Sequence, residues 1–281
     1  MNNGNYHFRL GTFDCLAVLD GYHDYPLKNF FANAPLAEVE GALREKGHPV
    51  DVIRTPYTYL LVETGAQRVL VDTGLGGLSP ETSHLVDNLH AAGIEPNDID
   101  AVVITHAHGG HIGGVLDKEG RSVFANARYY VSQREWTFWT SEGASAKAPD
   151  RFVTLARRVL GGIREQVTLV DREGEIVPGI SVLFAPGHTP GQVVASVSSE
   201  GERLLYTADV VLHPLHLEPT DWTPVYDLLP DEAAASKRRI YDLAAESGAL
   251  VLGQHFHPFP SLGLVVKTEA GWRWTPNEIG I

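Results

Sequence analysis

Residues 102–114, VVITHAHGGHIGG, constrain this chain more than any other stretch. The apolar run Ala101–Ile104 stops at three histidines, His106, His108 and His111, with glycines between and after them. A buried strand that opens into imidazoles has no explanation in packing. Three His this close, among side chains small enough to let them converge, form the first part of a metal site. Cys15 is the sole cysteine. No thiolate cluster and no intramolecular disulfide is therefore available, and the remaining donors must be His and carboxylate.

The pattern around this stretch alternates short strands with helices. Residues 6–20 alternate in polarity and predict a strand ending at Gly21, and PLAEVEGALREKG within 26–50 predicts a helix. YTYLLVET (57–64) and RVLVDTG predict a hairpin that leaves Asp72 at a strand end. Residues 80–92 read as a helix from Pro80, and 133–166 as two helices around a small-residue loop. Strands follow up to His188 and Asp209. Residues 213–230 read as a Pro- and aromatic-rich covering loop, and 231–247 as a helix with Asp231 as N-cap. GALVLGQH ends in His255, and 262–276 read as a closing hairpin. Polar residues without a packing reason recur at strand C-termini: Asp72, His106, His188, Asp209 and His255. Strands outnumber helices and interleave with them. That order predicts two mixed sheets packed face to face with helices outside, an α/β four-layer sandwich.

Length and charge bound the function. A chain of 281 residues without a linker is expected to form a single domain over 1–281, with 1–56 as an N-terminal elaboration and 57–270 as the core. A net charge of -13 argues against a nucleic-acid partner. The N-terminal residues show neither the basic nor the apolar part of a signal peptide, and no window approaches the ~18 apolar residues of a membrane span. The expectation is a cytoplasmic protein without a membrane partner.

T-H-A-H-x-x-H (105–111), V-D-T-G (71–74), P-G-H-T-P-G (186–191), Asp209 and the late His255 together resemble the metallo-β-lactamase superfamily. The resemblance spans about residues 57–270. SQREWTFW, VPGISVLFAPGHTPG and HFHPFPSLG are most similar to its methyl parathion hydrolase-like and lactonase branch. It implies the αβ/βα sandwich with a binuclear site at its edge. His106, His108 and His188 would hold one metal. His111 and His255 would help hold a second, with Asp209 bridging both and Asp72 orienting the ligands. Zinc is the implied metal, although His/carboxylate sets also accept Mn, Fe or Co. The implied activity is hydrolysis of an ester, lactone or phosphotriester by metal-activated hydroxide, with Asp209 and His111 in the catalytic set. The partner is a small molecule with an apolar group, and residues 20–50 are a candidate homodimer surface.

Two departures from the family pattern stand out. The Asp of H-x-H-x-D-H is Gly110 here, which predicts a weakened second metal site and slower chemistry. Three readings of Gly110 remain open: a natural variant with one tight and one loose metal, an introduced substitution, and a degenerate member that binds without turnover. The second departure is an extra residue near the last ligand, which leaves His257 as the substitute for His255. Acyl-homoserine lactonases of the family carry a Tyr three residues after the bridging Asp. Leu212 stands there, which counts against a dedicated lactonase of that branch. A non-catalytic metal-binding protein and, ranked lower, a mono-iron dioxygenase are the rival functions. His213 and His216 are further pocket candidates, as are Trp136, Phe138, Trp139, Trp222 and Tyr226.

Overall fold

The computed structural model describes residues 4–218 and 221–277. Seven strands form the first sheet, in chain order: β1 (Asn5–Leu10), β2 (Phe13–Pro26), β3 (Val52–Glu63), β4 (Arg68–Val71), β5 (Ala101–Ile104), β6 (Arg128–Ser132) and β7 (Val167–Val170). The first four are antiparallel neighbours, and β4 to β7 run parallel. The second sheet holds β8 (Gly174–Val177), β9 (Ile180–Phe184), β10 (Val193–Ser199), β11 (Glu202–Tyr206), β12 (Leu250–Leu252), β13 (Leu262–Lys267) and β14 (Trp272–Pro276). Its one parallel junction is β11–β12. Both sheets are mixed, as expected from the sequence.

The sandwich follows from side-chain alternation. In β5 every residue is buried, because both faces are covered. Ala101 and Val103 face the second sheet and pack with Ile180, Val182, Ala195 and Leu204. Val102 and Ile104 face outward, onto α3 (Leu85–Ala91), α5 (Gln133–Thr140) and α6 (Asp150–Gly162). The outer face of the second sheet is covered by α7 (Pro230–Ser247), where Ile240, Tyr241 and Ala244 meet Val194, Leu205 and Val251. Two short helices, α1 (Leu27–Phe30) and α2 (Leu36–Glu45), pack with Leu212, Leu215 and Trp222 beside the mouth of the sandwich. The one-turn helix α4 (Gly109–Ile112) carries the histidine loop.

Several boundaries differ from those predicted. The expected strand over 6–20 is a hairpin, turning at Gly11-Thr12, and β2 continues past Gly21 with a register shift between Leu19 and Gly21. Residues 5–26 thus pair into the first sheet, and of the described residues before β3 the segment 27–51, with α1 and α2, stands outside it. The helix predicted from Pro80 begins at Leu85, because buried Asp20 accepts the Leu85 amide at 2.7 Å and caps it from another strand. Asp231 is not the N-cap of α7. Leu229 takes that place, Pro230 fills the first helical position, and Asp231 lies in the first turn. No helix among the described residues is long and apolar enough to cross a membrane.

Candidate metal centre

The loops that follow β5, β9, β11 and β12 meet at one edge of the sandwich and bring His106, His108, His111, His188, Asp209 and His255 together. All six are buried. Asp209 is the hub. Its Oδ2 lies 3.2 Å from His188 Nε2, 3.3 Å from His111 Nε2 and 3.6 Å from His106 Nε2. Its Oδ1 lies 3.4 Å from His255 Nε2. His108 Nδ1 faces His188 Nε2 at 2.9 Å. His257 is half-buried and stacks edge-on near His48, away from this group.

The outer nitrogens of three rings are already committed. His111 Nδ1 donates to Asp72 Oδ2 at 2.7 Å, His188 Nδ1 to Asp227 Oδ1 at 2.9 Å, and His255 Nδ1 to the Pro56 carbonyl at 3.0 Å. Each bond fixes a tautomer whose Nε2 lone pair points at Asp209. Lone pairs facing a carboxylate repel unless positive charge lies between them. His106 Nε2, His108 Nε2 and Asp209 Oδ1 have no hydrogen-bond partner despite full burial. Orphaned buried polar atoms are costly, and this donor set fits a divalent cation. Two groups, His106–His108–His188 and His106–His111–Asp209, each place one ligand atom per residue within 4.8 Å of the others.

Electrostatics agree. Burial, then neighbouring imidazoles, hold His106 and His108 far below the usual imidazole range, so both rings are neutral and can donate lone pairs. Burial opposes charge on Asp209, yet His111 and His255 outweigh it and keep the carboxyl ionised. Without an ion, Asp209 draws protons instead. Against the effect of burial, it and Asp72 raise His111 to about 10, and it and Asp227 raise His188 to about 9.

Asp72 sits at the end of β4 with φ of 61°, a left-handed conformation that Asp tolerates better than most residues. It accepts the Thr105 amide at 2.8 Å and hydroxyl at 2.6 Å as well as His111. Glu135, on α5, escaped the sequence reading. Its Oε1 accepts the Ala107 amide at 2.8 Å and the Trp139 indole N–H at 2.6 Å. Its Oε2 accepts the Thr189 hydroxyl at 2.7 Å and the Gly191 amide at 2.9 Å. One carboxylate therefore ties the loop bearing His106 and His108 to the loop bearing His188. A Cβ on Gly191 would fall 2.0 Å from the Glu135 nitrogen, so that close approach requires glycine. Asp227 was also missed, because in a Pro-rich loop it reads as a turn former.

A cavity of about 360 Å³ opens over this group. Leu75, Leu78, Phe152 and Leu155 make an apolar wall, and Tyr25, Tyr57 and Tyr226 a phenolic one, with Leu212 also in the lining. Of the aromatic candidates, only Tyr226 reaches this lining. Trp139 is buried against His108, and Trp222 packs on Phe31. His213 and His216 are buried beside Phe31 and do not line the cavity.

Residues 53–255 match the model of the metallo-beta-lactamase superfamily. The chain belongs to that superfamily. It is 23% identical over 228 residues to the N-acyl homoserine lactonase AiiA of Bacillus thuringiensis subsp. kurstaki, covering 74% of this chain and 84% of the relative. Among solved structures it resembles AidC, a dizinc quorum-quenching lactonase in complex with a product, N-hexanoyl-L-homoserine, with TM-score 0.92, 28% identity and 99% of each chain covered. It shares its fold with the hydrolase AbOPH of the beta lactamase superfamily, with TM-score 0.90, 24% identity and 99% of each chain covered. This superfamily chain therefore has hydrolase homologues, lactonases among them.

Proposed function

We propose that this protein is a metal-dependent hydrolase that opens an ester or lactone bearing an apolar acyl chain. The observation that carries the reading is the convergence of four imidazoles on Asp209, with His106 Nε2 and Asp209 Oδ1 left without partners. His106, His108 and His188 are the proposed ligands of a first ion and His111 and His255 those of a second, with Asp209 serving both. A bound divalent ion would supply a nucleophile at neutral pH by lowering the pKa of its water. Asp72 and Asp227 orient His111 and His188, and Glu135 holds the two ligand loops together. The Leu75–Leu78–Phe152–Leu155 wall shields an acyl chain from water. The lactonase homologues, AidC above all, favour a carbonyl substrate over a phosphotriester. Gly110 leaves the second ion with three side-chain ligands and so with the looser hold, and Leu212 removes the phenol that acyl-homoserine lactonases carry at that position.

The test is metal analysis of protein purified without added metal, joined to turnover of acyl lactones, aryl esters and phosphotriesters. The expected result is one or two zinc-like ions and turnover of lactone or ester, abolished in His106→Ala. Bound metal with no turnover of any substrate would overturn the reading in favour of a binding protein, and a single iron in favour of a dioxygenase.

A further inference from the structure

Strand β3 brings Tyr57 and Tyr59 onto one face, two residues apart, and both approach Gly110. The Tyr59 hydroxyl donates to the Gly110 carbonyl. The Tyr57 ring lies beside the glycine: a Cβ built there would stand 3.2 Å from Tyr57 Cε1, closer than most Cβ contacts. The ring has little freedom to retreat. It packs edge-on against His255 with centroids 4.6 Å apart, and its hydroxyl is bound to that of Tyr25.

Each phenol carries one O–H donor. The Tyr25–Tyr57 contact uses one, and among the described residues neither hydroxyl has another hydrogen-bond partner. One proton of the pair therefore remains available to the cavity, where both residues join Asp209 and His255 in the lining.

We propose that Tyr57, backed by Tyr25, donates a hydrogen bond to the acceptor oxygen of the substrate's reacting group, and that residue 110 is glycine because the Tyr57 ring occupies the space a side chain there would need. The proposal rests on the hydrolytic reading and adds a substrate-positioning residue to it. It also changes what replacing Gly110 does. A carboxylate introduced by Gly110→Asp requires the Tyr57 ring to shift by a few tenths of an ångström, so that substitution disturbs the positioning residue as well as adding a donor.

Tyr57→Phe removes the hydroxyl and keeps the ring. The expected result is unchanged metal content and melting temperature, a roughly 10²-fold lower kcat with a smaller change in KM, and about tenfold weaker binding of octanoate, used as a product-like probe in calorimetry. Wild-type kcat in Tyr57→Phe, alongside an active parent, overturns the donor assignment. An inactive parent that still binds octanoate tenfold more tightly than Tyr57→Phe removes the hydrolase reading and leaves the donor standing. The space claim is read separately from thermal melts. Gly110→Ala should lower the melting temperature with Tyr57 present and leave it unchanged or higher in a Tyr57→Ala background. Equal shifts in both backgrounds overturn it.

Discussion

Glu135 accepts four hydrogen bonds in a place no water reaches. Burial pushes its carboxyl up, against those bonds. Removing it strands two backbone amides, a hydroxyl and an indole N–H, each orphan costing about 1–3 kcal/mol. Glu135→Ala is therefore expected to lose at least about 4 kcal/mol in urea unfolding, with Glu135→Gln between it and the parent. A loss under about 1 kcal/mol for the alanine variant would sink the role assigned to this residue. Of the six residues gathered here, His106, His188, Asp209 and His255 stood out in the sequence as polar groups following apolar runs, and His108 and His111 by their clustering with His106. Glu135 did not. In QREWTFWT a glutamate looks like part of a solvated helix face, and only the fold turns that face onto the histidine loops. Tyr57 was hidden differently: in YTYLLVET a tyrosine reads as core, and nothing local shows that its hydroxyl reaches a cavity.

Short elements in this molecule are set by distant partners as often as by their own residues. The run AVVI is a strand by its β-branched content, and its complete burial follows from having a layer on each side. The start of α3 could not be read locally, since its cap, Asp20, lies on β2. The turn around His216 is a similar case. Read from sequence as a pocket candidate, His216 is instead packed under α1, with Nε2 donating to the Phe30 carbonyl at 2.7 Å. Burial first, and Lys237 next, lower its pKa from 6.5 to about 3. Between those values the unfolded chain binds a proton that the folded chain refuses. Stability therefore rises with pH across that window and falls on acidification, by about 1.4 kcal/mol per pH unit for one proton. His216→Gln should flatten the dependence between pH 6 and 4 by about one proton, as read from urea midpoints at several pH values. Parallel pH profiles for the two proteins would contradict this.

At the scale of the whole molecule the proposed ligands divide evenly between the sheets. His106, His108 and His111 follow β5 of the first, and His188, Asp209 and His255 follow strands of the second. An ion held by both sets ties the sheets together, so removing it should loosen the molecule as a unit. At a free metal concentration a thousand times Kd the linkage amounts to about 4 kcal/mol. At roughly 2–4 °C per kcal/mol, stripping the metal with a chelator should lower the melting temperature by about 10 °C. The shift on chelation should be smaller in His106→Ala, which lacks a ligand of the first ion. An unchanged melting temperature in protein shown to be metal-free would refute the bridging role. The sandwich itself was legible from the order of strands and helices. The pairing of the first hairpin with the first sheet was not, because register depends on partners that local alternation does not name. The order of the sheets along the chain has a further consequence. All seven strands of the first sheet precede all seven of the second. A ribosome therefore delivers one whole layer before the other begins, and residue 255 must emerge before the last proposed donor is in place. Metal capture is then a late event of biosynthesis, and an ion held in full marks a chain whose two layers have already closed on each other.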